Sequence, residues 1–183
     1  MKIISVLLLF ILSGCTAVGV IATDDPYVKL KQSYQLMASN RPIPAEFNAK
    51  DALKIFIENK DAFGQAEANY FLGVFYKAKS GWANSNKKEM LNISISHLNI
   101  ATDLYKSLNE NIQASKAVFE LANAYRGLED KSNYCQNFKK SLSLYTSGTG
   151  QHKEFKINHP NFKTPEILIQ AHYEKLCKKT LIK

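Results

Sequence analysis

The stretch that decides the fold reads Ala-Glu-Ala-Asn-Tyr-Phe-Leu-Gly-Val-Phe-Tyr at residues 66–76. Its apolar residues recur at helical intervals, which predicts a largely buried α-helix. Within this stretch Gly73 follows Leu72 and precedes Tyr76 by three residues. A glycine at such a place lets a neighbouring helix come close, while the leucine and the tyrosine fill the space around the contact. The stretch therefore predicts a helix that packs tightly against a second helix.

Two further segments carry parts of the same pattern. Residues 121–125 repeat the leucine, the small residue and the tyrosine, and residues 94–101 place a serine, a leucine and an alanine at the spacing expected of a second packing helix. Together these patterns resemble the tetratricopeptide repeat (TPR), a unit of two helices. The resemblance is specific for a fold and names no activity.

The TPR resemblance implies an all-α fold, an α-solenoid of antiparallel helix pairs. Units are expected at residues 61–108 and 111–146, after a degenerate pair at residues 25–59 and before a C-terminal capping helix that starts near Pro165. In the degenerate pair, a helix is predicted from Pro44 to Glu58. Its expected buried stripe comprises Phe47, Ala49, Ala52, Leu53, Phe56 and Ile57.

The N-terminal residues indicate export. Lys2 precedes an almost unbroken apolar run at residues 3–12, and Leu12-Ser13-Gly14-Cys15 follows. The run is too short for a bilayer, which needs roughly 20 residues, and an ordinary secretory signal is the alternative. This pattern resembles a bacterial lipoprotein signal peptide. The resemblance implies cleavage before Cys15 and attachment of diacylglycerol to the Cys15 sulfur.

These features divide the chain into a signal peptide at residues 1–14, a lipidated tether at residues 15–23 and a helical domain at residues 24–183. The lipid would make the membrane the first partner. Thr16 follows the lipidated cysteine, where an aspartate would imply retention in the inner membrane. The expected location is the bacterial cell envelope, at the outer membrane and facing the periplasm.

The charge narrows the class of partner. The chain has 183 residues and a formal net charge of +8, spread over many separate lysines. Such a charge favours anionic lipid, lipopolysaccharide, peptidoglycan carboxylates or an acidic protein. Nucleic acid is not expected as a partner, because an exported protein seldom meets it.

Two cysteines remain once Cys15 is assigned to lipid, namely Cys135 and Cys177. Disulfides persist in exported proteins. The two cysteines lie in consecutive predicted helices, near the start of one and the end of the next, so both sulfurs are expected at the same end of the pair. They either form a disulfide or remain reduced as small buried side chains.

No catalytic constellation stands out in the sequence. The histidines, at positions 97, 152, 159 and 172, do not have the spacing of metal ligands, and no Gly-x-Ser-x-Gly or phosphate-loop motif occurs. We therefore expect no catalytic residues, no metal, no cofactor and no enzymatic activity.

The TPR resemblance also implies a peptide groove, lined by positions counted from the signature leucines. Two aromatic rings among cations and an asparagine favour an extended or helical peptide with acidic groups. An ordinary solvated helix face is the alternative and has equal weight. The candidate groove residues are Glu67, Tyr70, Val74 and Lys77 in one unit and Lys116, Phe119, Asn123 and Arg126 in the next.

The function expected from the sequence is that of a non-enzymatic, membrane-anchored adaptor or scaffold that binds another envelope protein through its TPR-like groove. One alternative is an inhibitor or immunity-type lipoprotein, or an envelope enzyme. Another is a structural lipoprotein whose basic surface contacts lipopolysaccharide or peptidoglycan.

Overall fold

The structure is a computed structural model that describes residues 22–152, 155 and 160–178. The signal peptide, Cys15 and most of the tether lie outside the described residues, so their assignment stays a prediction. The described residues form seven α-helices and no β-strand: α1 (Pro26–Ala38), α2 (Pro42–Glu58), α3 (Ala62–Lys79), α4 (Lys87–Ser107), α5 (Asn111–Gly127), α6 (Lys131–Ser147) and α7 (Pro165–Cys177).

Each helix packs mainly on its neighbours in the sequence, and α3 also contacts α1 and α5. The predicted all-α fold class is confirmed. The helix boundaries agree with the sequence prediction to within one or two residues: α2 begins at Pro42 rather than Pro44, and α6 extends to Ser147. None of the helices in the described part of the chain combines the length and the apolarity needed to cross a membrane.

Short polar side chains start several of these helices. Asp61 accepts a hydrogen bond from the Gly64 amide at 2.8 Å, and Asp130 caps α6 in the same way through Asn133. Such caps satisfy amide groups that have no partner inside the helix. These caps explain why α3 and α6 begin directly after an aspartate.

Four turns between helices share one geometry. In each, the second residue after the last helical residue adopts a left-handed conformation with φ between 55° and 63°. The next amide donates a hydrogen bond to a carbonyl oxygen five residues earlier, at 2.8 to 3.0 Å. This is the Schellman pattern, which usually employs glycine. The residues that adopt it here are Asn40, Lys60, Asn109 and Glu129.

The contact predicted for Gly73 forms between α3 and α4. Leu98 lies against Gly73, and the Ser94 hydroxyl donates a hydrogen bond to the Gly73 carbonyl oxygen at 2.7 Å. Leu98 and Leu72 are fully buried. The leucine–glycine pattern of residues 66–76 therefore does mark the place where two helices approach closely.

The buried stripe predicted for α2 was wrong at two positions. Phe47 is 71% exposed and Ile57 is 55% exposed. The buried face lies at Ala45, Ala49, Ala52 and Phe56, because α1 and α3 cover that side and no described helix covers the other. The apolar residues of α2 surround most of the helix, so their periodicity did not fix which face is inside.

A disulfide joins Cys135 near the start of α6 to Cys177 at the end of α7, with their Cα atoms 5.5 Å apart. Of the two states left open by the sequence, the structure shows the bridged one. The bond holds α7 against α6, beside a cluster of buried side chains that includes Phe138 and Ile169.

Candidate functional site

A cleft with a volume of about 550 Å³ lies between α3, α5 and α7. Its wall combines aromatic, aliphatic and cationic side chains, and it is open to solvent. The residues that line it are Tyr70, Lys77, Ser80, Leu91, Lys116, Phe119, Glu120, Asn123, Arg126, Gly127, Phe155, Leu168 and His172.

Six of the eight candidate groove residues line this one cleft: Tyr70, Lys77, Lys116, Phe119, Asn123 and Arg126. The other two do not. Val74 packs in the core cluster formed by α3, α4 and α5. The Glu67 carboxylate accepts a hydrogen bond from the Tyr105 hydroxyl of α4, which turns it toward the α3–α4 contact.

The two aromatic side chains form fixed walls rather than mobile surface groups. Tyr70 is 7% exposed and Phe119 is 8% exposed. Lys116 Nζ lies 4.3 Å from the centre of the Tyr70 ring, a cation–π contact. Burial, with Glu120 nearby, raises the pKa of Tyr70 well above its usual value. Tyr70 therefore stays neutral, and a ligand meets a preformed aromatic surface with a cation above it.

The charges around the cleft do not cancel. Lys77 forms an ion pair with Glu120 in the cleft wall. Lys116 lies over Tyr70, and Arg126 is exposed at the mouth. Three cationic side chains against one carboxylate leave the cleft positive, which favours acidic groups.

Asn123 has an unsatisfied acceptor. Its Nδ2 donates a hydrogen bond to the Phe119 carbonyl oxygen at 3.1 Å. Its Oδ1 is buried and has no hydrogen-bond partner within the described residues. A buried acceptor without a partner destabilises the free protein. A donor from a ligand in the cleft would relieve that cost.

Sequence reasoning missed the contribution of α7, which was expected only to cap the domain. Leu168 and His172 stand one turn apart on α7, and both line the cleft. The His172 Nδ1–H donates to the Leu168 carbonyl oxygen at 2.9 Å, which leaves Nε2 as the acceptor of the neutral ring. The four-residue spacing of Leu168 and His172 was the available signal, but it did not reveal what α7 faces.

A second cleft of about 360 Å³ shares Arg126 and His172 with the first and continues along α7 to Lys175 and Leu176. The two clefts lie on either side of the same pair of residues. The positive surface therefore extends beyond the reach of one side chain and suits an elongated ligand.

Glu110, at the start of α5, binds Gln151 and His152, which follow α6. The Glu110 carboxylate accepts hydrogen bonds from the amides of Gln151 and His152 at 3.1 and 3.0 Å and contacts His152 Nδ1 at 2.9 Å. Burial opposes the charge of Glu110, but these hydrogen bonds lower its pKa. The His152 ring stacks on Phe63. Phe155, three residues further along the chain, lies beside Phe119.

His97 and Trp82 have structural surroundings. His97 Nδ1 lies 2.8 Å from Asn69 Oδ1 and its ring stacks on Tyr76. Trp82 packs edge-on against Phe75. His159 lies outside the described residues. Within the described residues, no group of three or more histidine, cysteine, aspartate or glutamate side chains is placed to hold a metal ion.

Comparison with known protein families, curated proteins and solved structures finds no match to this chain. What the cleft binds has to be inferred from its own chemistry.

Proposed function

We propose that this protein is a non-enzymatic, membrane-anchored adaptor of the bacterial cell envelope that binds a segment of another protein in the cleft between α3, α5 and α7. The observation that carries the proposal is the convergence of six predicted groove residues on one open cleft. These residues supply two buried aromatic walls, an excess of positive charge and an acceptor that has no hydrogen-bond partner among the residues the structure describes.

The chemistry of the cleft defines the segment. Tyr70 and Phe119 offer apolar surface of the kind that anchors protein interfaces. Lys116 and Arg126 favour aspartate, glutamate or a terminal carboxylate on the partner. Asn123 Oδ1 would accept a hydrogen bond from a partner amide. The partner segment is therefore an acidic, extended or helical stretch that carries at least one apolar side chain.

The helix pairs are proposed to be TPR-like units of an α-solenoid. This proposal is supported by the close approach at Gly73, by the buried Ser94, Leu98 and Ala101 of α4 and by the order in which the helices pack. In this arrangement α7 both caps the last unit and adds Leu168 to the groove.

The envelope location is proposed from the lipoprotein-like pattern that ends at Cys15 and from the residue after it, Thr16. A disulfide between Cys135 and Cys177 suits an oxidising compartment. The eight residues of tether after the lipid would reach at most roughly 30 Å. The partner segment would then lie close to the outer membrane on its periplasmic side.

The charge of +8 also fits a structural lipoprotein that contacts lipopolysaccharide or peptidoglycan without using the cleft. Such binding would weaken steeply with salt and would not depend on Tyr70 or Phe119. The two functions therefore differ in whether the cleft is occupied in the cell.

Photocrosslinking in the producing cell distinguishes the adaptor function from the structural function. A photoreactive amino acid at Ser80, which lines the cleft, should capture one envelope protein through an acidic segment. The matched position is Ile100, which is exposed on α4 and does not line the cleft. Equal capture from residues 80 and 100, or capture of glycan alone, would reject the adaptor function.

A further inference from the structure

The solvent-facing side of α2 carries a straight stripe of side chains at alternating intervals of four and three residues. Ile43 is 82% exposed, Phe47 71% and Ile57 55%. The side chains of Lys50 and Lys54, which stand between them, are 54% and 74% exposed. This spacing keeps all five on one line along the helix. We call these five residues the α2 stripe.

The α2 stripe is opposite the buried face of the helix. Ala45, Ala49, Ala52 and Phe56 are fully buried against α1 and α3, and no described helix packs on the other side. A phenylalanine and two isoleucines aligned on one exposed helix face form an apolar surface of the kind that marks an interaction site. None of the cleft residues belongs to α2, so an occupant of the stripe leaves the cleft open.

The two lysines point to the chemistry of the occupant. Lys54 pairs with Glu58 at 3.9 Å, and an exposed pair of this kind is weak. Lys50 pairs at 2.7 Å with Glu46, whose side chain is largely buried, while the Lys50 side chain itself remains half exposed. Along the stripe two apolar side chains are followed by two lysines and a third apolar side chain, and lysines beside apolar side chains are typical of helices at a membrane surface. The rings and aliphatic chains enter the headgroup boundary, and the lysines extend to the phosphates.

The start of α1 lies at the same end of the molecule as Ile57. The Tyr27 ring packs edge-on against Phe56, with ring centres 4.7 Å apart, and the Tyr27 hydroxyl donates to Asp61 Oδ2 at 2.7 Å. The first residues of α1 therefore lie beside the C-terminal end of α2. A lipid at Cys15, eleven residues before Pro26, would be within roughly 40 Å of the start of α1, and the 17-residue helix α2 is about 25 Å long.

We propose that the α2 stripe lies on a bilayer of anionic phospholipid, with its apolar residues in the headgroup boundary and with Lys50 and Lys54 against lipid phosphates. This inference rests on the membrane anchor of the proposed function. It adds an orientation to that anchor: α2 contacts the membrane, and the cleft stays accessible to a protein partner.

The test uses full-length lipidated protein, purified from membranes of the producing cell and reconstituted in vesicles. An F47C variant carries an environment-sensitive fluorophore at residue 47, and I100C carries it on α4 as the matched position. In vesicles with phosphatidylglycerol, the emission at residue 47 should shift to the blue and that at residue 100 should not. The shift should shrink in phosphatidylcholine vesicles and in a K50E/K54E background, whereas K139E/K140E on α6 should not change it.

Other outcomes separate the inference from the anchor. Protein that floats with the vesicles without a shift at residue 47 would overturn the stripe proposal and leave the anchor intact. Protein that neither floats nor shifts would overturn both. A shift without vesicles that grows with protein concentration would assign the stripe to a second copy of the chain and overturn the lipid assignment.

Discussion

Leu98 of α4 occupies the space where any residue larger than glycine at position 73 would place its side chain. A Cβ atom built on Gly73 would lie 2.5 Å from Leu98 Cγ and 2.8 Å from Leu98 Cδ2. The Ser94 hydroxyl binds the Gly73 carbonyl oxygen in the same contact. Helices α3 and α4 therefore approach each other closely at Gly73, with no room for a larger side chain unless Leu98 moves.

A G73A substitution should destabilise the protein by about 1–3 kcal/mol, because Leu98 is fully buried and has to move. The higher helix propensity of alanine offsets part of this cost. The control is G81A, where the added Cβ would only reach ordinary contact with the Ala78 carbonyl oxygen. Urea unfolding measures both; a G73A variant as stable as the G81A variant would contradict the tight α3–α4 contact.

Loss of the disulfide should reduce stability by roughly 4 kcal/mol in the chain-entropy view, since the bond links residues 42 positions apart. The comparison is the free energy of unfolding of the C135S/C177S double variant against the oxidised protein. The loss should be concentrated in α7, whose amide hydrogens should exchange faster than those of α3. Unchanged stability in the double variant would show that α7 is held by its apolar contacts alone.

Glu46 should make the free energy of unfolding depend on pH in the acidic range. Burial opposes its charge, but hydrogen bonds from Lys50, Tyr76 and Lys79 lower the pKa of Glu46 to about 2 from its usual 4.5. Its charged contacts therefore stabilise the protein above about pH 4.5 and are lost progressively as the pH falls toward 2.

The measurement for Glu46 is the difference in free energy of unfolding between the wild type and E46Q at several pH values. The difference should be largest near neutral pH and should decline below pH 4.5. E58Q is the control, because Glu58 is exposed and lies 3.9 Å from Lys54. A difference for E46Q that stays constant down to pH 2.5 would contradict the low pKa.

An N123L substitution should separate stability from binding. It removes a buried acceptor that has no partner within the described residues, so the free protein should keep its stability or gain up to about 1 kcal/mol. Capture of the partner should weaken about tenfold, because the hydrogen bond to the partner is lost. N137L is the control: Asn137 makes the same bond to a carbonyl one turn earlier, on α6 and away from the cleft. Strong destabilisation by N123L would show that Asn123 serves the fold.

Most of the helices could be predicted because their signals lie in local sequence. Caps such as Asp61 and the small residue at Gly73 act on their own helix or on the next one, so helix ends and the α3–α4 contact could be read from the chain. The exposed face of α2 could not be predicted from the sequence. Phe47 and Ile57 fit the spacing of an apolar stripe as well as the buried residues of that helix do.

Helix register alone placed six candidate residues on one cleft, but the packing of distant residues around that cleft could not be predicted. Counting from Leu72 and Leu121 placed six residues on one cleft. The same counting could not show that Glu120 pairs with Lys77, or that Leu168 and His172 of α7 close the far side. Those contacts join residues that lie far apart in the chain, and the spacing of residues in a single sequence does not predict such contacts.

Charge reversal in the cleft tests the central claim most directly. The measurement is the affinity of the purified protein for the acidic segment crosslinked from residue 80, with K116E/R126E compared against K139E/K140E on the exposed side of α6. Both variants change the net charge equally and should retain the helical circular dichroism of the wild type. We predict that K116E/R126E binds at least tenfold more weakly and that K139E/K140E binds as the wild type does. Equal affinity in the two variants would contradict the assignment of the cleft as the partner site.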